Sequence, residues 1–269
     1  MKQKSNYTGE NHTFVICAYK ESQYLEECIC SLKNQICKSN LLMVTSTPCT
    51  YISNLAKKHD IPLLTNEHGG EISKDWNFAI QSARTSVVTI AHQDDLYEPA
   101  YLENILNGIN RVSRPLIAFT DYGEVRGNEK VTKNRLLKVK EIMLFPLRFS
   151  CLYNSKFVRR RILSLGSPIC CPSVTYVKEN LPLPLFTEGF RSDLDWQAWE
   201  RFSRLRGGFI YCHHYLMYHR IHEESATTQI IGDNDRTKED YQMFCKFWPK
   251  WIARLLERFY SSSEDSNNL

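Results

Sequence analysis

Two adjacent carboxylates and a histidine directly follow one of the most apolar segments of the sequence. Residues 86–91 are typical of a buried strand, and His92, Asp94 and Asp95 come next. In open α/β sheets, ligands bind outside the carboxyl ends of the strands, which is where these side chains stand. Carboxylate oxygens suit a divalent cation, which can bridge a diphosphate and neutralise the charge that develops as it leaves. The alternative is that the two aspartates cap the next helix.

Short apolar runs alternate with helical patterns through the first half of the chain. Strands are predicted at residues 14–19, 41–44, 61–64, 86–91 and 116–120. Helices are predicted after the first strand and at residues 51–59, 75–83 and 101–112. This alternation predicts an α/β fold with a mostly parallel central sheet flanked by helices.

The second half of the chain has a looser pattern. Residues 124–140 are highly charged, which predicts an exposed loop or a hairpin. An amphipathic helix at residues 192–206, a strand at 208–212 and a terminal helix at 244–260 follow. Without internal repeats or a linker, the chain is predicted to form a single domain.

Composition narrows the possible classes of protein. Of the 269 residues, 42% are hydrophobic and 24% charged, which is typical of a folded globular protein. The net charge of +4 is smaller than that of most nucleic-acid binders. The ten cysteines form no Cys-x-x-Cys pair, which argues against a zinc or thioredoxin-like site. The basic run at residues 159–161 predicts a solvated helix face, with contact to anionic lipid or phosphate as the alternative.

Several motifs, in order along the chain, resemble those of the family 2 glycosyltransferases, which have the GT-A nucleotide-sugar fold. Val15-Ile16-Cys17-Ala18-Tyr19-Lys20-Glu21 resembles the first-strand signature of that family. Further along the chain, Asn77 matches the Asn of the family's Ala-Arg-Asn segment, and residues 92–95 lie where the family has Asp-x-Asp. Residues 192–196 lie where it has Glu-Asp-x-Asp, and residues 218–222 resemble its Tyr-Arg-x-His segment. The resemblance covers about residues 13–228, which is most of the chain.

This resemblance implies an inverting enzyme that moves a hexose or related sugar from a nucleotide-diphosphate donor to a hydroxyl. The implied acceptor is a saccharide or lipid-linked saccharide, as in polysaccharide biosynthesis, and the implied cofactor is Mg²⁺ or Mn²⁺. Asp193 is the implied general base, and Asp195 is expected to be a helix-surface or capping residue. The expected metal ligands are Asp94, Asp95 and His222, and the expected donor-binding residues are Ala18, Tyr19, Glu21, Lys74, Trp76, Asn77, His92, Gln93 and Asp94.

The same resemblance suggests how the chain is organised. We expect a single GT-A domain at residues 13–260, with a nucleotide-sugar half at 13–123 and an acceptor half at 124–260. Residues 1–12 and 261–269 are expected to be disordered tails. No apolar h-region and no membrane-spanning run occur, so we expect a cytoplasmic protein without a nucleic-acid partner. The basic segment and the aromatic terminal helix allow at most a peripheral contact with the inner face of the membrane.

Two other classes of protein stay open on the sequence alone. A nucleotidyltransferase would share the parallel sheet and the acidic site, but its glycine-rich phosphate loop is absent from residues 18–22. A catalytically silent sugar-binding or scaffold protein is favoured by the first two of three departures from the family pattern. His92 replaces the first Asp of Asp-x-Asp, Thr45 and Ser46 stand where the family has Asp-Asp-Gly-Ser, and Ser192 replaces a Glu.

Overall fold

The computed structural model describes residues 6–222 and 235–265. Within them, nine strands form one mixed sheet with the order β3-β2-β1-β4-β8-β6-β9-β5, and β7 pairs with β6. The strands are β1 (His12–Ala18), β2 (Asn40–Thr45), β3 (Leu63–Thr65), β4 (Val87–His92), β5 (Leu96–Tyr97), β6 (Pro115–Arg126), β7 (Glu129–Val131), β8 (Val174–Val177) and β9 (Gly208–Ile221). The helices are α1 (Leu25–Lys33), α2 (Thr50–Lys58), α3 (Ile72–Ser82), α4 (Tyr101–Ile109), α5 (Arg135–Leu144), α6 (Lys156–Leu163), α7 (Leu194–Ser203), α8 (Asp235–Cys245) and α9 (Lys250–Asp265).

The first four strands of the chain form the parallel part of the sheet. β1 lies between β2 and β4, and β3 extends the sheet beyond β2, all in parallel register. β8 is antiparallel to both β4 and β6, whereas β6 and β9 are parallel to each other. The predicted α/β fold with a mixed second half is therefore confirmed.

Both faces of the parallel strands are buried. Phe14 and Ile16 of β1 belong to one hydrophobic cluster, and Val15 between them belongs to the other. Because side chains alternate across a strand, these clusters lie on opposite faces of the sheet. Cover on both faces explains why β1 shows an unbroken apolar run rather than an alternating pattern.

The charged segment after the first half is more structured than predicted. β6 extends to Arg126 and turns into β7, which confirms the hairpin alternative, but α5 follows where no helix was predicted. The predicted terminal helix is two helices, α8 and α9, separated by residues 246–249. The short strands β5 and β8 were not predicted. Each is too short to show a periodic pattern in the sequence.

Arg159 shows that the predicted solvated helix face is wrong for part of the basic run. Its side chain is fully buried, and its guanidinium donates to the carbonyl of Ser203 at 2.8 Å and to those of Leu205 and Gly207. These carbonyls follow the end of α7, where backbone acceptors lack intrahelical partners. Arg161, in contrast, is exposed as predicted.

The ordered body of the chain extends beyond both predicted boundaries. Tyr7 is buried, and its backbone N–H donates to Asn110 Oδ1 at 2.8 Å, so order begins before residue 13. At the other end α9 continues to Asp265. Residues 1–5 and 266–269 of the predicted tails lie outside the described residues. β6 crosses the predicted boundary between the two halves at residue 123, and that division stays a prediction. No described helix is long and apolar enough to cross a membrane.

Candidate active site

The carboxyl ends of β1, β2 and β4 meet at one edge of the sheet, because these strands are parallel neighbours. His92, the last residue of β4, is paired in register with Cys17 of β1. Ala18 at the end of β1 is paired with Thr45 at the end of β2. The residues that follow β1 and β4 therefore share one edge, which is where ligands bind in open α/β sheets.

Asp94 and His222 come together at this edge although 128 residues separate them. His222 Nε2 lies 2.8 Å from Asp94 Oδ2, and both side chains are mostly buried but reach the surface. Burial alone would raise the pKa of Asp94, but the nearby His219, His222 and His92 lower it below its usual value of 3.8. Asp94 is therefore ionised at neutral pH.

Asp95 points into the protein instead. Its side chain is fully buried, and Oδ1 accepts from the backbone N–H of Arg220 at 3.0 Å and lies 2.9 Å from His219 Nδ1. Burial acts to lower the pKa of His219, but Asp95 and Asp94 outweigh it and raise this pKa to about 9. His219 and Asp95 thus form a buried ion pair beneath Asp94.

His92 stacks on Trp76 beside this ion pair. The two ring centroids are 5.2 Å apart with planes 19° from parallel, and Trp76 in turn contacts the ring of Phe186 edge-on. Burial lowers the pKa of His92, so its imidazole is neutral. Its Nε2 has no hydrogen-bond partner within the part of the chain that the structure describes. A neutral ring with a spare nitrogen thus stands where the resemblance implied a carboxylate.

Two predicted donor-binding amides are engaged with the backbone. Gln93 donates to the carbonyl of Tyr19 and accepts from its N–H, both at 2.9 Å. Asn77 donates to the carbonyl of Phe186 at 2.7 Å and accepts from its N–H at 3.0 Å. Each side chain fixes the position of a segment beside the site, because both of its polar ends are used.

The other predicted donor-binding residues line the rim of the same edge. Ala18 is buried, whereas Tyr19 and Glu21 are exposed just beyond the end of β1. Lys74 is paired with Glu71 at 2.9 Å on the first turn of α3.

Asp75 supplies an acidic group that the sequence analysis missed. Its carboxylate accepts from the hydroxyl of Ser46 at 2.8 Å and from the amide of Asn66 at 2.7 Å. A carboxylate therefore lies beside the segment after β2, where the family pattern has its own acidic residues. The signal in the sequence was only an acidic residue in the first turn of a predicted helix.

The two acids at the start of α7 have different surroundings. Asp193 is buried, and its pKa is raised well above 3.8 by burial and by the neighbouring carboxylate of Asp240 from α8. Asp195 reaches the surface in part, accepts from the N–H of Trp196 at 2.6 Å, and has its pKa raised to about 6 by burial.

The pKa of the Cys170 thiol responds to acids from both α7 and the segment after β4. Burial raises the pKa of the Cys170 thiol; the ammonium of Lys140 opposes this, and the carboxylates of Asp95 and Asp195 add to it. Both carboxylates therefore act electrostatically on one thiol, whereas Asp193 is hydrogen-bonded to Asp240. Asp195 is the acid at the start of α7 whose charge acts on the same thiol as that of Asp95.

Glu239 of α8 holds the segment that leads into α7. Its carboxylate accepts from the backbone N–H groups of Arg191, Ser192 and Asp193 at 2.8, 2.8 and 3.0 Å. An acidic residue on a polar helix gave no sequence signal for this role. The position of the acids at the start of α7 therefore depends on a residue 46–48 positions further along the chain.

The predicted set of three metal ligands is not assembled. No group of three or more His, Cys, Asp or Glu side chains in residues 6–222 and 235–265 is placed to hold a metal ion. Asp94 and His222 are together, but Asp95 is used by His219 and Arg220, so its prediction as a third ligand lacks support. One carboxylate and one imidazole still suit a cation that takes its other oxygens from substrate phosphates.

Comparison with known families decides the class of the protein. Residues 13–167 match the model of the family described as "Glycosyl transferase family 2". The chain belongs to this family. The predicted glycosyltransferase class is therefore confirmed, and family membership disfavours the nucleotidyltransferase alternative.

Individual relatives agree with the family. This glycosyltransferase is 22% identical to an uncharacterized glycosyltransferase of Rickettsia typhi, over 95% of this chain and 76% of that protein. It superimposes on residues 1–349 of S. aureus TarS in complex with UDP-GlcNAc with a TM-score of 0.58 and 14% identity, covering 86% of this chain but only 64% of that one. For glucosyl-3-phosphoglycerate synthase of Mycobacterium tuberculosis with Mn²⁺ and UDP-glucose, the TM-score is 0.57 at 13% identity, over 86% and 77% of the two chains. These structures confirm the GT-A fold.

Proposed function

We propose that this glycosyltransferase moves a sugar, with inversion, from a nucleoside-diphosphate donor to a hydroxyl of a saccharide or lipid-linked saccharide. The observation that carries the proposal is a pair of carboxylates with opposite pKa shifts. The pKa of Asp94 is lowered, and that of Asp195 is raised to about 6. Environments that separate two carboxyl groups in this way are typical of sites where the groups have different catalytic roles.

Asp94 and His222 would hold the cation at the donor end. A bound divalent cation neutralises charge on the departing diphosphate. Asp94 is ionised, and the adjoining imidazole favours Mn²⁺ over Mg²⁺, which prefers oxygen ligands. The Mn²⁺ and UDP-glucose bound to the M. tuberculosis synthase support this choice, since that enzyme has the same fold.

Asp195 would act at the acceptor end as the general base. Its ionised carboxylate takes the proton of the acceptor hydroxyl, and the acceptor oxygen forms a bond to the anomeric carbon. The bond from that carbon to the diphosphate oxygen breaks, and its electron pair leaves with the nucleotide. A single displacement of this kind inverts the anomeric centre. A pKa of about 6 leaves the base ionised at neutral pH, near the value that favours proton transfer.

The resemblance assigned this role to Asp193, and its surroundings argue for moving the role to Asp195. Asp193 is 7% exposed and lies against Asp240, so its raised pKa keeps a proton on the pair. A buried, protonated acid cannot accept the proton of a hydroxyl. We therefore treat Asp193 as a positioning residue at the start of α7.

The donor is identified first by thermal shift. UDP-, GDP-, CDP- and dTDP-sugars are tested with and without Mn²⁺, and a ligand at a hundred times its Kd adds about 2.7 kcal/mol of stability. Release of nucleoside diphosphate from the stabilising donor is then measured for Asp195→Asn and Asp193→Asn. Loss of release in the first variant alone supports the proposal. No stabilisation by any donor would support the silent sugar-binding or scaffold alternative instead.

A further inference from the structure

The last helix of the described chain, α9, carries apolar side chains on two opposite sides. Ala253, Leu256 and Tyr260 face inwards and pack on the core. Trp251, Leu255 and Phe259 are 71%, 50% and 69% exposed. Their spacing of four residues places these three on one outward stripe.

A stripe of cations runs beside the exposed apolar stripe. Lys250, Arg254 and Arg258 are also spaced by four residues and are exposed. We call the surface formed by these six side chains the outer α9 face: Lys250, Trp251, Arg254, Leu255, Arg258 and Phe259. Glu257 is the one acidic residue at positions 250–260, and it is half-buried.

The neighbouring helix α6 continues this surface. The Arg161 guanidinium lies 4.8 Å from the ring of Trp248, just before α9, and 5.7 Å from the ring of Phe157. Phe157 is 72% exposed, and α6 contains no acidic residue. A Cβ on Gly166, just after α6, would come within 2.7 Å of Tyr260, so the two helices adjoin.

We propose that the outer α9 face binds the surface of a bilayer that contains anionic phospholipid, with α9 lying in the plane of the interface. A helix with Trp, Phe and Leu along one stripe and Lys and Arg beside it has the composition of interfacial helices. The apolar stripe enters the boundary between headgroups and acyl chains, and the cations meet the lipid phosphates.

The charges distinguish this partner from the alternatives. In a symmetric dimer built on this face, the three cations of one copy would meet the same three of the other, which is repulsive. Arginine and aromatic residues are common in protein–protein interfaces, so it is the repulsion between like charges that disfavours a second copy here. An anionic bilayer is complementary to both stripes at once.

The packed rings of Tyr260 and Trp196 link the proposed bilayer contact with the proposed base. Tyr260 on the inner side of α9 packs against Trp196, with ring centroids 6.0 Å apart. Trp196 directly follows Asp195 in α7. If the proposed function holds, a face that holds the enzyme on a bilayer brings α7 close to lipid-linked acceptors. Binding to vesicles requires no activity and tests the face separately.

The test measures co-sedimentation of the full chain with vesicles of phosphatidylcholine alone or mixed with phosphatidylglycerol. We expect binding to the mixed vesicles that weakens as salt is raised. Arg254→Gln with Arg258→Gln should lower partition onto mixed vesicles about 25-fold, since each cation near an anionic surface contributes about fivefold. Trp251→Gln with Phe259→Gln should lower binding to both vesicle types by at least about tenfold.

Matched controls remove exposed groups elsewhere. Ile36 and Leu64 are exposed apolar residues, and the pair Ile36→Gln with Leu64→Gln should bind within about twofold of the parent. Lys57→Gln with Lys133→Gln is the control for charge, because both lysines are exposed on other segments. Thermal melting checks that every variant is folded.

Three outcomes would overturn the proposal. The first is parent-like binding to mixed vesicles by the folded α9 variants, and the second is no binding by the parent. The third is a parent that dimerises without lipid while the α9 variants stay monomeric, which would assign the outer α9 face to a second copy of the chain.

Discussion

Replacing Asp195 with asparagine tests both its proposed role as the general base and the effect of its raised pKa on stability. The variant loses a proton acceptor, which should lower the rate of nucleoside-diphosphate release about 10²–10⁴-fold. It keeps Asp94 and His222 unchanged, so the thermal shift with the donor should stay as in the parent. Oδ1 of the amide can still accept from the N–H of Trp196, which Asp195 does at 2.6 Å in the parent.

The same substitution should stabilise the protein. Burial raises the pKa of Asp195 from 3.8 to about 6, so ionisation is less favourable in the folded state than in the unfolded one. Below pH 3.8 the acid is protonated in both states, and the penalty is absent; above pH 6 it is complete. A difference of about 2 pKa units corresponds to about 3 kcal/mol above pH 6 and to about 1.5 kcal/mol at pH 5.

Urea unfolding of parent and variant at pH 5 and pH 8 measures this difference. The advantage of Asp195→Asn should grow by about 1.5 kcal/mol between these pH values. The parent's kcat/KM should fall about tenfold per unit below pH 6, as the base is protonated. Asp193→Asn serves as the matched control, and it should keep that pH profile because Asp193 is buried against Asp240.

Two results would refute this reasoning. Release that stays within about threefold of the parent in Asp195→Asn would exclude Asp195 as the base, given the size of a general-base contribution. A large loss in Asp193→Asn, with the pH profile altered, would return the role to Asp193. An unchanged stability difference between pH 5 and pH 8 would show that Asp195 is not buried enough to have a raised pKa.

Three further predictions concern the rest of the molecule. The pKa of His219 is raised to about 9, so its ion pair stabilises the fold fully below pH 6.5 and is lost as pH rises through 9. In urea unfolding, the free energy of unfolding of the parent should fall by about 3 kcal/mol relative to His219→Gln as the pH rises from 6.5 to above 9. The same pH dependence in both proteins would contradict this prediction. Asp94→Asn and His222→Gln should each abolish the Mn²⁺-dependent part of the donor thermal shift while the protein stays folded without ligand. Asp94→Asn should melt at a lower temperature than the parent, because the lowered pKa of Asp94 means that its ionised carboxylate stabilises the fold. A retained Mn²⁺ effect would place the cation elsewhere. Arg159→Met should destabilise the fold by about 3 kcal/mol or more, because three buried carbonyls lose their donor. The exposed Arg161→Met is its control, and equal stability of the two variants would disprove the capping role.

The parallel half of the fold could be predicted because its signals are local. β1, β2 and β4 are apolar on both faces, and the helices between them show one apolar stripe each. β6 and β9 were predicted far too short, because their later residues are polar. Asp121 of β6, for example, is buried and bonded to Tyr211 and His213 of β9. Such pairing satisfies polar groups within a sheet and is invisible until both strands are in place.

The sequence predicted which segments form the site, but not what each side chain in them does. Residues 92–95 and 218–222 were both identified, and the structure joins them through Asp94 and His222. The functions of Gln93 and Asn77 depend on backbone partners in other segments, so their residue types alone suggested a ligand contact. Asp75 gave only the signal of an acidic residue at a helix start and Glu239 gave none, because their partners are hydroxyl, amide and backbone groups brought close only by folding.

The choice between Asp193 and Asp195 shows why a motif leaves this question open. Asp193 lies just before the first residue of α7 and Asp195 in its first turn, so the two acids have different neighbours. Helix α8 places the carboxylate of Asp240 beside Asp193. Burial raises the pKa of Asp195, whereas the three histidines around Asp94 lower the pKa of that acid. Identical carboxyl groups thus acquire opposite pKa shifts, as the proposed metal ligand Asp94 and the proposed base Asp195 would require.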